Sequence, residues 1–448
     1  MKFNRDNIEY FSFDKYEYDF QNGKAKFYYS FDDSIIFTEE IIFNNSPKSL
    51  SMDKQVALDR ILSYLHLALG VSYYKAAVPS KIIVKTGDIS KHTGLFFDKL
   101  YLNGLDEFAY TNNLSLKKVI KFPFSDSKKN LSVNINLKDR AVLPIGGGKD
   151  SLVAYDIIKS SGNEFCLFHI GDHSCYKELQ TYSKNNIINI HRKISNNIIK
   201  LNNMGAYNGH IPISSIFAFL SLAASVIYDY NTVIMSNERS ANVGSIMSDG
   251  KEVNHQYSKS LEFETDFSKL VSDEIINSYA YFSMLRPFSE LSISKMFSKL
   301  TYAHDMFISC NQASKLKNKL DKWCLNCPKC RFVFLSLSPY IKKNDLINIF
   351  GFNLLDDPSQ ENGYMALVGI DDSKPFECVG EIEESIVAFS LVSKNNEWHN
   401  DLIVKKIMNR ISLSNDELVR LTNEVLQPRF DSNIPSRYLK MINDYCKL

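Results

Sequence analysis

The sequence has almost no excess of charge of either sign, no apolar leader, no internal repeat and no low-complexity tract, and each absence removes a class of protein. A formal net charge of +1 on 448 residues gives no argument for an electrostatic nucleic-acid binder, so no nucleic-acid partner is expected. Residues 1–18 mix charged and aromatic side chains and contain no apolar stretch of the kind a secretory signal needs. A cytoplasmic location is the expectation. The longest apolar run, 211–228, is interrupted by Ser214, Ser215, Ser221 and Ser225 and is only about as long as the shortest membrane spans. Pro212 suits a helix start and a strand-like run follows at once. The segment therefore reads as a helix buried against a sheet, and no membrane partner is expected.

What is present is a globular balance, 44% hydrophobic and 23% charged, on a chain too long for one ordinary core. Residues 1–135 read as a β-rich N-terminal domain with one helix. Residues 10–20 largely alternate aromatic and polar side chains, 26–31 mix them, and 54–74 carries an apolar stripe at helical spacing. From Arg140 the pattern changes. Short apolar strands at 141–145, 165–170, 187–190 and 232–235 are separated by helical stretches starting near Ser151 and Pro212. Strands alternating with helices predict an α/β fold with a doubly wound parallel sheet over 136–340. Residues 341–448 read as mostly helical, with helices at 415–426 and 436–445 and turns at 353–358 and 375–381.

Gly146-Gly147-Gly148-Lys149-Asp150-Ser151 lies between the first strand of that unit and its helix. Glycines let backbone N–H groups approach an anion closely, and the helix start adds its own free N–H groups and dipole. Asp150 is suited to Mg²⁺ and Ser151 to a phosphate oxygen. Two better-known loops are excluded: the P-loop needs Ser or Thr directly after its Lys, and the dinucleotide fingerprint needs Gly where Ser151 stands. The hexapeptide resembles instead the PP-loop, the pyrophosphate-binding loop of the N-type ATP pyrophosphatases of the adenine nucleotide alpha hydrolase-like fold. Those enzymes split ATP to AMP and pyrophosphate and adenylate a substrate. Gly146 stands where they usually have Ser.

Eight cysteines are present, namely Cys166, Cys175, Cys310, Cys324, Cys327, Cys330, Cys378 and Cys446. Cys324, Cys327 and Cys330 fall within seven residues, and Cys310 lies 14 residues earlier. Four thiolates at such spacing suit a structural tetrahedral Zn²⁺; a redox pair or an iron–sulfur cluster would use similar spacing. Nitrile-forming deazaguanine synthases, which are shorter, share the single-then-triple cysteine pattern.

Two polar loops follow the 232–235 strand, where open α/β sheets place their ligands. The first holds Asn237, Glu238 and Arg239. The second, residues 253–260, holds His255 and Lys259, residue types suited to acid–base or phosphate work. Together with Gly205-Ala206-Tyr207-Asn208-Gly209-His210-Ile211-Pro212, residues 323–334, Lys374-Pro375-Phe376-Glu377-Cys378-Val379-Gly380-Glu381 and Gly70-Val71-Ser72-Tyr73-Tyr74-Lys75, these segments resemble the UDP-N-acetylmuramoyl-L-alanyl-L-glutamate epimerase family. That family's loop carries the same three glycines, which accounts for Gly146.

The resemblance covers residues 60–385 and implies epimerisation of the terminal L-Glu of UDP-MurNAc-L-Ala-L-Glu for peptidoglycan synthesis, with ATP and Mg²⁺, releasing AMP and pyrophosphate. On that reading Gly146, Gly147, Gly148, Lys149 and Ser151 hold the leaving pyrophosphate and Asp150 the metal. Asn237 and Glu238 orient substrate or nucleotide, and Arg239 and Lys259 neutralise its phosphates or carboxylates. The proton-transfer candidates are His255, Lys259, Cys378 and Glu381. The competing readings are another adenylating enzyme, an amide ligase or nitrile synthase, and a zinc-held nucleotide-binding protein without activity.

Overall fold

The computed structural model describes residues 3–171, 187–244, 246–248, 251–312, 323–370, 375 and 377–447. Cys175, Lys374 and Phe376 lie outside the described residues. The strands are β1 (Tyr10–Asp19), β2 (Lys24–Phe31), β3 (Ile35–Phe43), β4 (Lys81–Val84), β5 (Ala141–Pro144), β6 (Phe165–Ile170), β7 (Ile187–Lys193), β8 (Thr232–Met235), β9 (Ile246–Ser248), β10 (Lys251–Val253) and β11 (Ala280–Ser283). All but the β9–β10 hairpin join one nine-stranded sheet in the order β11-β8-β5-β6-β7-β3-β2-β1-β4.

The five strands from β11 to β7 are parallel. Their residues alternate between two cores. In β5, Ala141 and Leu143 pack on one side and Val142 on the other. Strands buried on both faces read as continuous apolar runs, which is why β5, β6 and β8 were legible as strands. One face is covered by helices Met52–Tyr74 and Ile213–Tyr228. The other is covered by helix Lys149–Ser160 and the helices that follow Ser289. Ile213–Tyr228 begins after Pro212 as its cap residue, and no helix among the described residues is long and apolar enough to cross a membrane.

The β-rich N-terminal segment does not form a sheet of its own. Strand β3 pairs antiparallel with β7, so the antiparallel ribbon of β1, β2 and β3 extends the parallel block. The ribbon covers an edge that would otherwise be open for pairing with another chain. The seam is pinned by a buried ion pair, Arg192 Nε to Glu39 Oε1 at 2.5 Å. Tyr73 Oη donates to Glu39 Oε2 at 2.7 Å and Arg192 Nη2 to Ser72 Oγ at 3.0 Å. The C-terminal end of helix Met52–Tyr74 is thereby fixed at the seam. That helix also sits tightly on β1: a Cβ on Gly70 would stand 2.3 Å from Phe13, so only glycine fits there. The C-terminal helices include Asn415–Leu426 and Ser436–Cys446. The last one is anchored to helix Lys149–Ser160 by Tyr445 Oη donating to Asp156 Oδ2 at 2.8 Å.

Candidate active site

The glycine loop follows the carboxyl end of β5 and opens helix Lys149–Ser160. Gly147 has φ of +80°, a conformation that L side chains rarely adopt. Gly146 faces open space with nothing within 4 Å of a Cβ, so a serine there meets no obstacle. Ser151 Oγ donates back to Gly148 O at 2.9 Å. Lys149 is fully buried, and its ammonium is clasped between the Asp150 and Glu290 carboxylates.

Three consecutive strands of the sheet each send one carboxylate to this place: Asp150 after β5, Glu238 after β8 and Glu290 after β11. Their oxygens lie within 4.8 Å of one another. Burial, then the neighbouring Glu290 charge, pushes the Asp150 carboxyl up. Burial would also raise Glu290, but Lys149 and Lys329 outweigh it and hold this carboxyl down at about 2. Lys329 Nζ reaches Glu290 Oε1 at 3.1 Å. A carboxyl short of positive charge beside two further carboxylates fits a hard divalent cation with oxygen ligands. Of the three carboxylates, the sequence singled out Asp150 and Glu238, while Glu290 and Lys329 carried no chemical signal of their own. For Lys329 a positional hint existed, because it lies between Cys327 and Cys330.

The polar loop after β8 divides its duties. Asn237 Nδ2 donates to Ser283 Oγ at 3.0 Å and so ties the ends of β8 and β11 together. Arg239 donates to Gln427 O and Val425 O, both at 3.1 Å, and so faces the end of helix Asn415–Leu426. Arg286 is a further buried cation behind the site, and it holds Glu238 O at 2.9 Å, Lys259 O at 2.6 Å and Glu264 Oε2 at 3.1 Å.

Cys310, Cys324, Cys327 and Cys330 converge, with all four sulfurs within 4.8 Å of one another. Sulfurs about 2.3 Å from a tetrahedral zinc stand about 3.8 Å apart. Here Cys327 and Cys330 sulfurs are 3.5 Å apart, and those of Cys324 and Cys330 are 3.7 Å apart. The hydrogen bond it donates to Cys310, then burial and the Cys310 charge, push the Cys327 thiol up to about 12, a crowding of sulfurs that a divalent cation relieves. Cys327 caps helix Pro328–Leu337, accepting from Cys330 N at 3.4 Å. The turn therefore aims Lys329 at Glu290.

A third cluster collects the proton-transfer candidates. Lys259 Nζ lies 3.1 Å from Cys378 Sγ. Burial would strip this ammonium of its proton, but the Cys378 sulfur and the Glu238 carboxylate keep it on. His255 is buried, with its ring 6.2 Å from that of His210. His210 Nδ1 lies 3.5 Å from Glu107 Oε2. Burial, then the Lys259 and Lys75 charges, pull His210 down to about 4. Lys75 Nζ donates to Asn208 Oδ1 at 2.7 Å and Gly209 O at 2.8 Å. Glu107 is pushed up to about 7 by burial and by Glu377. Glu381 begins helix Ile382–Ser393, in a capping box with Glu384. Lys75 and His210 lay in segments that the sequence singled out without giving them a role; Glu107 gave no signal.

Residues 2–284 match the model of the MurL N-terminal domain family and residues 306–421 that of the MurL C-terminal domain family. A curated relative from Xanthomonas oryzae pv. oryzae (strain MAFF 311018) is 37% identical over 411 residues, 91% of each chain. One from Salinispora tropica (strain ATCC BAA-916 / DSM 44818 / JCM 13857 / NBRC 105044 / CNB-440) is 35% identical over 436 residues, 96% of this chain and 95% of its own. Both are called UDP-N-acetyl-alpha-D-muramoyl-L-alanyl-L-glutamate epimerase.

Proposed function

The chain belongs to the UDP-N-acetyl-alpha-D-muramoyl-L-alanyl-L-glutamate epimerase family, and from that premise we propose that it inverts the terminal L-glutamate of UDP-MurNAc-L-Ala-L-Glu in a reaction driven by cleavage of ATP to AMP and pyrophosphate. The observation that carries the ATP-dependent part is the convergence of Asp150, Glu238 and Glu290 at one end of three neighbouring parallel strands, directly beside the glycine loop. We read that loop as a PP-loop.

The chemistry requires activation. Removing the α-proton beside a free carboxylate would place a second negative charge on the same carbons. Adenylation of the carboxylate neutralises it and makes the α-proton acidic enough for a side chain to remove. The backbone N–H groups of residues 146–149 and the start of helix Lys149–Ser160 take the departing pyrophosphate. Lys149 and Lys329 neutralise charge beside it. A divalent cation held by Asp150, Glu238 and Glu290, when bound, supplies further positive charge at the phosphates. Cys378, with Lys259 stabilising its thiolate, is the group we assign to the α-proton. Reprotonation from the other face inverts the centre, and hydrolysis of the mixed anhydride releases AMP. The four sulfurs would hold a structural zinc, and the turn that Cys327 caps positions Lys329.

The test is one incubation of the protein with ATP, Mg²⁺ and UDP-MurNAc-L-Ala-L-Glu, with AMP counted and the glutamate resolved by chirality. ATP-dependent D-glutamate with AMP is expected. AMP without D-glutamate would turn the reading to a ligase, and neither product would remove the substrate.

A further inference from the structure

We propose that Lys75 is the second proton-transfer group, delivering a proton to the α-carbon on the face opposite the Cys378–Lys259 pair. The proposal rests on the reading of this site as that of an ATP-dependent glutamate epimerase. Inversion needs two groups on two sides of one carbon, and Cys378 and Lys75 are brought to this region by distant parts of the chain. Cys378 comes from the segment before helix Ile382–Ser393, whereas Lys75 ends helix Met52–Tyr74 at the seam between the ribbon and the parallel block. Lys75 holds Asn208 and Gly209, the two residues before His210, whose ring lies 6.2 Å from that of His255 in the loop that carries Lys259.

Lys75 is 7% exposed, and its ammonium rests on two neutral oxygens, Asn208 Oδ1 and Gly209 O. Among the described residues no carboxylate forms an ion pair with it. A buried ammonium without a counter-ion is costly and is poised to give its proton away. Burial alone pulls it down to about 8, close to the working pH that acid–base transfer favours. Its position is fixed: the preceding Tyr73 and Ser72 are bonded to the buried Glu39–Arg192 pair.

The step balances. The Cys378 thiolate takes the α-proton and becomes a thiol. The electron pair of the C–H bond passes into the enolate of the activated glutamate. The Lys75 ammonium then gives its proton to the other face of the α-carbon and becomes an amine. Solvent returns a proton to Lys75 and removes one from Cys378 before the next turnover.

The experiment uses the full chain with its metals, ATP, Mg²⁺ and UDP-MurNAc-L-Ala-L-Glu in D₂O, comparing wild type with Lys75→Met. Three quantities are read: AMP, D-glutamate, and α-deuterium in the recovered L-glutamate. The variant is expected to lose D-glutamate formation by about 100-fold or more. It should still release AMP at a rate within several-fold of wild type, and it should incorporate α-deuterium into L-glutamate from the Cys378 face. Added methylamine should restore part of the inversion. D-glutamate formation within tenfold of wild type overturns the proposal. So does AMP release without deuterium in L-glutamate, or AMP lost with an unchanged melting temperature.

Should the variant not fold, the wild type decides. Lys75 holds the residues next to His210, which lies beside Glu107 and His255; burial pulls His210 down to about 4 and pushes Glu107 up to about 7, and Lys259 keeps its proton. Inversion should fall above about pH 8 while deuterium entry into L-glutamate does not. Glu384, raised to about 8 by burial and by Glu290, sits with the carboxylates and would move both readouts together. A parallel fall of both, or no fall of inversion, overturns the assignment. Wild type without any ATP-dependent D-glutamate would instead overturn the proposed function itself.

Discussion

Two corners of this molecule gather ligands of opposite chemistry within one helix length of each other. The sulfur corner takes three of its four ligands from a single seven-residue turn, Cys324 to Cys330. The carboxylate corner takes one each from the loops after β5, β8 and β11, so its members are 88 and 52 residues apart in sequence. A local cluster exists as soon as its turn forms. A distributed one exists only after the sheet has been assembled. Helix Pro328–Leu337 joins the corners: Cys327 and Cys330 lie in the first, and Lys329 bonds Glu290 in the second.

Breaking the sulfur corner should have the widest effect. Cys330→Ser, or zinc removal by a chelator, is expected to lower the melting temperature by about 10 °C or more and to abolish AMP formation as Lys329 loses its position. Zinc content and calorimetry measured together check this, and an unchanged transition would make the corner dispensable. Breaking the carboxylate corner should leave zinc in place and remove only chemistry. Asp150→Ala or Glu290→Gln is expected to reduce substrate-dependent AMP release by about 1000-fold, equivalent to about 4 kcal/mol; undiminished release by Asp150→Ala would sink the metal assignment. The link is addressed by Lys329→Met, which keeps both ligand sets. About 100-fold loss of AMP release with full zinc content is expected. Equal loss of zinc would mean that the two corners are one folding unit.

The smallest effect is on acid stability. Glu290 sits at about 2 in the fold, below its ordinary 4.5. A depressed carboxyl contributes stability that is present above the unfolded value and is lost as pH falls through the folded one. The window is therefore from about pH 4.5 down to about 2. Urea midpoints across this window should fall for wild type and fall less for Glu290→Gln.

The same contrast explains what could be read in advance. Strands β5, β6 and β8 and the helices after the glycine loop and Pro212 announce themselves by apolar runs and by turn chemistry over a few residues. The cysteine set, the glycine loop and Asp150 do so by spacing. Strand β3 and its pairing to β7 were not legible, because which edge a ribbon joins depends on a surface made by residues about 150 positions away. Glu290, Glu107 and Arg286 look like ordinary polar residues until burial sets their charge against neighbours. Lys75 lies in a segment that stood out, yet its burial on the neutral oxygens of Asn208 and Gly209 is a property of the folded seam.

The amino-acid sequence by itself determined the local devices: a run of three glycines between a strand and a helix, cysteines at the spacing of a metal turn, and apolar runs that can only be buried strands. These follow from backbone freedom, ligand spacing and hydrophobicity, which act over a few residues. Tertiary structure decided the rest. It placed three carboxylates within 4.8 Å of one another, set Lys259 against Cys378 and left Lys75 buried on neutral oxygens. Electrostatic character depends on distance and desolvation, and neither exists before the chain has folded.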